Sequence, residues 1–319
     1  MIDSSQTLRH YVQHLTVHLR LVTVAVIWGV GWVAGRVLAQ EIPTFTAAWL
    51  RYLVAVLAFI AWLVSTGRLT LPNRREWRIV AFVGFFSTFL YQVFFMLGME
   101  RTAAGDASLM ITFNPLFTAI LAIFFLDEKM TTRLGMGIIL AIAGVAILFL
   151  QSPNIDIPDG TRMWGDFFIM LSALSWSASA IAMKRGMTSA PDGETPMSPL
   201  RITVWSSVTG LAFLTPGFIW EGASSQWAIP STEALVAILF LAILSTVVSY
   251  VWYAEGIRTI GAGPAALYVY LVPLFGILSG WILLDEKLGW SLLLAFVLIV
   301  GGVAFAQSAK GDVQAITVE

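Results

Sequence analysis

The sequence predicts an all-α integral membrane protein of ten transmembrane helices, arranged as two inverted-topology five-helix repeats. Composition, an internal repeat and the placement of positive charge predict it. Of 319 residues, 58% are hydrophobic and 12% charged, and the mean hydropathy is +0.83. A soluble domain is about one quarter charged. Here the charges cluster between apolar runs of about 20 residues, the length that crosses a bilayer. Such runs must be helices, because an open strand edge cannot survive in lipid.

The repeat is ungapped. Laid over 81–149 at an offset of 158, residues 239–307 match at 21 of 69 positions. The matches include Ser87-Thr88 with Ser245-Thr246, Ala104-Gly105 with Ala262-Gly263, and Pro115-Leu116-Phe117 with Pro273-Leu274-Phe275. They also include Leu126-Asp127-Glu128-Lys129 with Leu284-Asp285-Glu286-Lys287, and Gly144-Val145-Ala146 with Gly302-Val303-Ala304. Two long apolar halves that copy each other supply two similar bundles able to rock about a shared site, as in transporters.

The spans are expected near 21–38, 45–66, 79–97, 105–126, 134–150, 164–183, 202–220, 233–253, 261–284 and 290–307. The first run is long, carries Trp28 and Trp32, and resembles the sixth when Trp28 is laid on Trp176. It therefore reads as a span and not as a cleaved signal peptide. The chain divides into a cytoplasmic N-terminal segment (1–20), a first repeat (21–150), a linker (151–163), a second repeat (164–307) and a cytoplasmic tail (308–319). No loop is long enough for a further domain or an ATPase, and no phosphate-binding Gly-x-x-x-x-Gly-Lys-Ser/Thr loop occurs.

With the N-terminus inside, the inner segments hold thirteen lysines and arginines, while the outer loops hold only Arg101, Arg162 and Lys287. Positive charge stays on the cytoplasmic side, so both termini are expected there, in a plasma or inner membrane. Five helices per half is an odd number, so the second half enters from the opposite side. The Asp-Glu-Lys turn at 127–129 is then inside and its copy at 285–287 outside.

These features resemble the EamA-type transporters of the drug/metabolite transporter superfamily. The resemblance runs over residues 20–307. It rests on two five-helix halves, each with a small-residue segment, then a mid-helix Pro-Leu-Phe, then Leu-Asp-Glu-Lys. The family usually has Gly-Glu where this chain has Asp127-Glu128 and Asp285-Glu286. The resemblance implies an exporter or facilitator of small metabolites, often amino acids. It also implies a central cavity among helices 1, 3, 4, 6, 8 and 9. Drug-like compounds, nucleobases and cofactor precursors are the rival substrates on the same fold.

The residues offer their own pointers to a site. Pro115 and Pro273 stand mid-helix at equivalent positions. Each removes a backbone donor, so the carbonyls of Ile111 and Val269 are expected to be free near the bilayer centre. The alternative is a kink that only curves the bundle. Polar side chains at depth need partners or water. Tyr91, Gln92, Asn114, Tyr250, Tyr268 and Tyr270 meet that description, as cavity lining or as interhelical glue. Trp28 and Trp32 share a face of helix 1. With Trp176 they could wall a pocket for an apolar moiety, or pack against neighbours or lipid. Arg51 could bind a substrate carboxylate, or snorkel, or brace a loop acid such as Glu41.

A proton or sodium relay needs a carboxylate at depth, and no acid sits at the centre of a run. Asp106 and Glu255 are the nearest candidates for proton coupling. No catalytic group, metal or cofactor is expected: no span contains histidine or cysteine. A net charge of −1 argues against a nucleic-acid partner. The expected partners are a small-molecule substrate and the lipid bilayer.

Overall fold

The computed structural model describes residues 4–125, 130–154, 156–188, 196–224 and 230–316. The helices are α1 (Ser4–Glu41), α2 (Thr44–Ser65), α3 (Arg74–Met99), α4 (Ala104–Phe125) and α5 (Thr132–Gln151) in the first half. The second half holds α6 (Asp159–Thr188), α7 (Pro199–Ser224), α8 (Thr232–Ile260), α9 and α10 (Trp290–Ile316). α9 runs in two pieces, Ala262–Val269 and Val272–Leu284. Each expected run falls on one helix, and no strand occurs among the described residues. The first Asp-Glu-Lys turn, at 127–129, lies outside them.

Local chemistry sets the ends. Asn73 caps α3 and Glu76 returns the bond to the Asn73 backbone, a capping box that satisfies two orphan amides. Thr131 and Ser231 cap α5 and α8 through their hydroxyls. Gly261, at φ 89°, turns the chain between α8 and α9, a conformation open to glycine without a side-chain clash. The segment before residue 21 is not separate. α1 begins at Ser4 and continues into the span Leu15–Glu41.

Within α3 and α8 the backbone widens into π-helical turns at Phe85–Leu90 and Phe240–Val248. These segments end at equivalent positions of the repeat. In α4 the residues before Pro115 tighten into a 3-10 turn, Ile111–Phe113. The Asn114 N–H donates to the Ile111 carbonyl. That carbonyl is therefore not free as expected: one tight turn satisfies it.

Packing obeys the duplication. α1 lies against α8 and α9, and α6 lies against α3 and α4. α2 packs on both α7 and α8, α7 on both α2 and α3, and α5 on α10. Small residues allow these approaches. A β-carbon on Gly137 would come within 2.5 Å of the Gly302 carbonyl in α10, and one on Gly276 within 2.4 Å of the Ser108 side chain.

Alternate loops meet at opposite ends of the bundle. At one end Glu41 accepts from the Ser231 amide and hydroxyl, and Glu221 accepts from the amides of Phe45 and Thr46. Glu286 accepts from the amides of Ala104 and Gly105 there, at 2.6 and 2.9 Å. At the other end Arg201 pairs with Glu76 at 2.8 Å, and Arg20 with Glu255 at 2.5 Å.

Candidate substrate cavity

A cavity of about 850 Å³ opens between the two halves. A continuous strip of its wall is aromatic. Tyr253, Trp28, Tyr250, Trp176, Tyr91, Phe95 and Trp32 form an unbroken chain of rings. Successive centroids lie 5.3, 6.2, 6.2, 5.6, 6.1 and 5.3 Å apart. All seven rings line the cavity, and they come from α1, α3, α6 and α8. Edge-to-face and offset contacts of this kind hold rings in place beyond simple burial. Trp28 is fixed further by its indole N–H, which donates to the Ser245 carbonyl at 3.0 Å.

α4 and α9 supply the remaining sides. Asn114 and Pro115 line the cavity from α4, and Tyr270 and Pro273 line it from α9. The two prolines act differently. Pro115 follows a tightened turn, whereas α9 breaks outright at Tyr270 and Leu271 and restarts with Pro273 in its first turn. The Asn114 carbonyl accepts from the hydroxyls of Ser177 and Thr118, each at 2.8 Å. Its side-chain oxygen is shielded and has no partner.

Arg51 reaches the wall from α2. It is 7% exposed, and its guanidinium donates to Gln92 Oε1 at 3.0 Å and Thr246 Oγ1 at 3.3 Å. Two rings, Tyr52 and Phe95, stand 5.7 and 5.8 Å from its Cζ. It neither snorkels nor reaches Glu41, whose carboxylate is taken by Ser231.

Four other expected residues lie elsewhere. Gln92 is fully buried behind the wall and holds Arg51. A polar residue at depth needs a partner, and here that partner is another side chain. Tyr268 points to the end of the bundle, where its hydroxyl and His18 Nδ1 are 2.5 Å apart. Asp106 is sealed off from the cavity. It accepts from Ser152 at 2.9 Å and Asn154 at 3.3 Å, and Arg162 lies 3.6 Å away. Glu255 is paired with Arg20 near the surface. Neither acid lines the cavity.

Phe95, Tyr253 and Ser245 line it although sequence reasoning had not singled them out. Helical spacing carried a signal for two of them: Phe95 follows Tyr91 by four residues and Tyr253 follows Tyr250 by three.

The cavity is closed at one end and reaches toward the other. The first half of α4 packs on the second piece of α9, where Gly105, Ser108, Gly276 and Gly280 bring the backbones together. Among the described residues, the second half of α4 makes no comparable contact with the first piece of α9. The cavity extends that way to Ile123, Thr131 and Leu134.

Comparison with known proteins agrees with this architecture. An uncharacterized transporter of Bacillus subtilis (strain 168), YetK, is 23% identical over 291 residues, covering 90% of this chain and 85% of its own. A probable amino-acid metabolite efflux pump of Salmonella typhimurium (strain LT2) is 30% identical over 288 residues, covering 88% and 91%. A crystal structure of a protein 18% identical superposes with a TM-score of 0.61 over 92% of this chain and 98% of that one, which shows a shared fold. The EamA-like transporter family matches residues 15–150 and 163–307. The chain is a multi-pass membrane protein and belongs to the EamA-like transporter family.

Proposed function

We propose that the protein exports a small organic metabolite of the amino-acid class by alternating access. One observation carries the reading: a large cavity at the seam of two duplicated halves, shut at one end and extended toward the other. Rocking of the halves about this seam exchanges the open end for the closed one. The inverted relation of the halves makes the two states similar in energy, because each is assembled from copies of the same contacts.

The cavity extends toward the end that carries Arg20, Arg201 and Lys184, which positive charge assigns to the cytoplasm. Both termini lie on that side in a bacterial-type plasma membrane. The Salmonella relative's name supports an amino-acid metabolite and outward movement.

The experiment is counterflow in proteoliposomes, with a panel of labelled amino acids, with and without a pH gradient. Saturable exchange of one class is expected. Acceleration by the gradient would assign proton coupling, and indifference to it would assign facilitated exchange. No movement of any amino acid by folded protein would overturn the substrate class.

A further inference from the structure

Two buried hydrogen-bond donors on the cavity wall lack acceptors. Trp32, 5% exposed, has an indole Nε1 with no partner. Arg51, 7% exposed, has a buried Nε with no partner. Its other two nitrogens meet only neutral oxygens, from Gln92 and Thr246. The two residues flank one ring. The Trp32 and Phe95 centroids are 5.3 Å apart, and Arg51 Cζ lies 5.8 Å from the Phe95 ring. Among the described residues, no acidic side chain lines the cavity.

A buried guanidinium without a counter-charge is costly, and orphaned donors add to that cost. Asp106, Asp166 and Glu255, by contrast, have their own polar partners elsewhere. The missing negative charge must therefore enter through the cavity. A planar carboxylate suits a guanidinium edge, and an indole N–H can donate to it.

We propose that Trp32 and Arg51 form an anion-reading corner that selects substrates by their carboxylate, with the aromatic chain receiving an apolar body. This rests on the cavity being the transport site. Among the described residues, the wall offers an ammonium group only neutral acceptors, such as the shielded Asn114 side-chain oxygen. The substrate class is thus the apolar monocarboxylate, with or without an α-amino group. Amino acids are one branch of it. Gln92 is a positioning residue, because it acts through Arg51.

The test is thermal unfolding of the purified full chain in detergent, with sodium benzoate, benzamide or benzylamine, and sodium chloride as the ionic control. Benzoate should raise the unfolding temperature with dose. Benzamide, benzylamine and chloride should not. The benzoate response should shift to at least about tenfold higher concentration in Arg51→Gln, as expected for loss of a charged hydrogen bond. Trp32→Phe should shift it severalfold.

Gln92→Glu gives the guanidinium an internal partner and should abolish the response while keeping the arginine. Equal stabilisation by benzoate and benzamide, no response to benzoate, or a wild-type response in Gln92→Glu would each overturn the proposal. Amino-acid counterflow without any benzoate preference would remove this inference alone. A benzoate preference without amino-acid counterflow would remove the amino-acid reading and leave the corner in place.

Discussion

α1 and α6 occupy equivalent places in the two halves, yet they are engaged differently. α1 packs across the seam on α8 and α9, and also on α3 and α4 of its own half. α6 packs across the seam on α3 and α4, but among the described residues it has no comparable packing on α8 or α9. The missing contacts are those that would seal the extended end of the cavity. Sequence symmetry thus coexists with an asymmetric state. What distinguishes the ends is which copy of each contact is made.

The closed end is held by directed bonds as well as by close approach. Glu286, from the α9–α10 turn, accepts both amides at the start of α4, where a negative charge also meets the positive end of the helix dipole. The Lys287 amide donates to Asn154, and Asn154 donates to Asp106. The second seam, α5 on α10, has glycines at its centre and is built from copies of one another on both sides. In the alternating access proposed above, the first seam is the one that parts and the second the one that stays.

Five changes would break or sharpen this contrast. The largest effect is expected from Gly276→Val, which places a branched side chain where a β-carbon already meets Ser108 at 2.4 Å. Overpacking costs about 1–3 kcal/mol. The closed end should be forced apart and transport should fall by roughly ten- to a hundredfold. The chain has no cysteine, so a Ser108→Cys background reports the state cleanly. Labelling by an impermeant maleimide from the outer side should rise. Unchanged labelling would mean the seam does not open there. Gly137→Val, in the α5–α10 seam, should lower the melting temperature and leave labelling as it was.

Glu286→Gln comes next. It removes the charge from both amide bonds, each worth about 1.5–3 kcal/mol with a charged acceptor. The population should move toward the outward-open state by about tenfold, read with the same label. Asn114→Ala removes an unpartnered oxygen from the wall. It should weaken transport by about three- to tenfold with no loss of melting temperature, within the usual range for one hydrogen bond. Wild-type transport would take Asn114 out of the binding wall.

The smallest effect belongs to Glu255→Gln. Its pair with Arg20 has side chains 35% and 37% exposed, and exposed pairs contribute little. Transport should stay within about twofold. A large loss under a pH gradient alone would restore Glu255 as a proton carrier.

The duplication was readable because prolines, glycines and the Asp-Glu-Lys turns recur at one offset. That was enough to number the helices and to bring Pro115 and Pro273 to the same depth. Facing was harder to read. Gln92 and Tyr91 are adjacent in sequence, and depth alone could not say that one lines the cavity while the other braces Arg51. Asp106 was legible as an acid near a boundary. Its partners Ser152, Asn154 and Arg162 lie 46 to 56 residues away, at a separation where local pattern carries no information. Tyr268 and Tyr270 are two residues apart at the end of one helical piece, about 200° around its axis, and so face different places.

The widened turns of α3 and α8 have a consequence for the whole design. In a helix of 3.6 residues per turn, one additional residue is worth about 100° of rotation. Each π-helical segment therefore acts as a phase shifter set into a long rod. Residues before it keep the azimuth needed to dock on the neighbouring helix: Gly84 of α3 on Thr209 and Gly210 of α7, and Ala237 and Ile238 on the buried side of α8. Residues after it are re-aimed, so that Tyr91 and Phe95, and Tyr250 and Tyr253, turn their rings inward. Deleting a single residue from Phe85–Leu90 or Phe240–Val248 would restore ordinary winding, keep the apolar content of the span, and point those aromatic side chains away from the cavity.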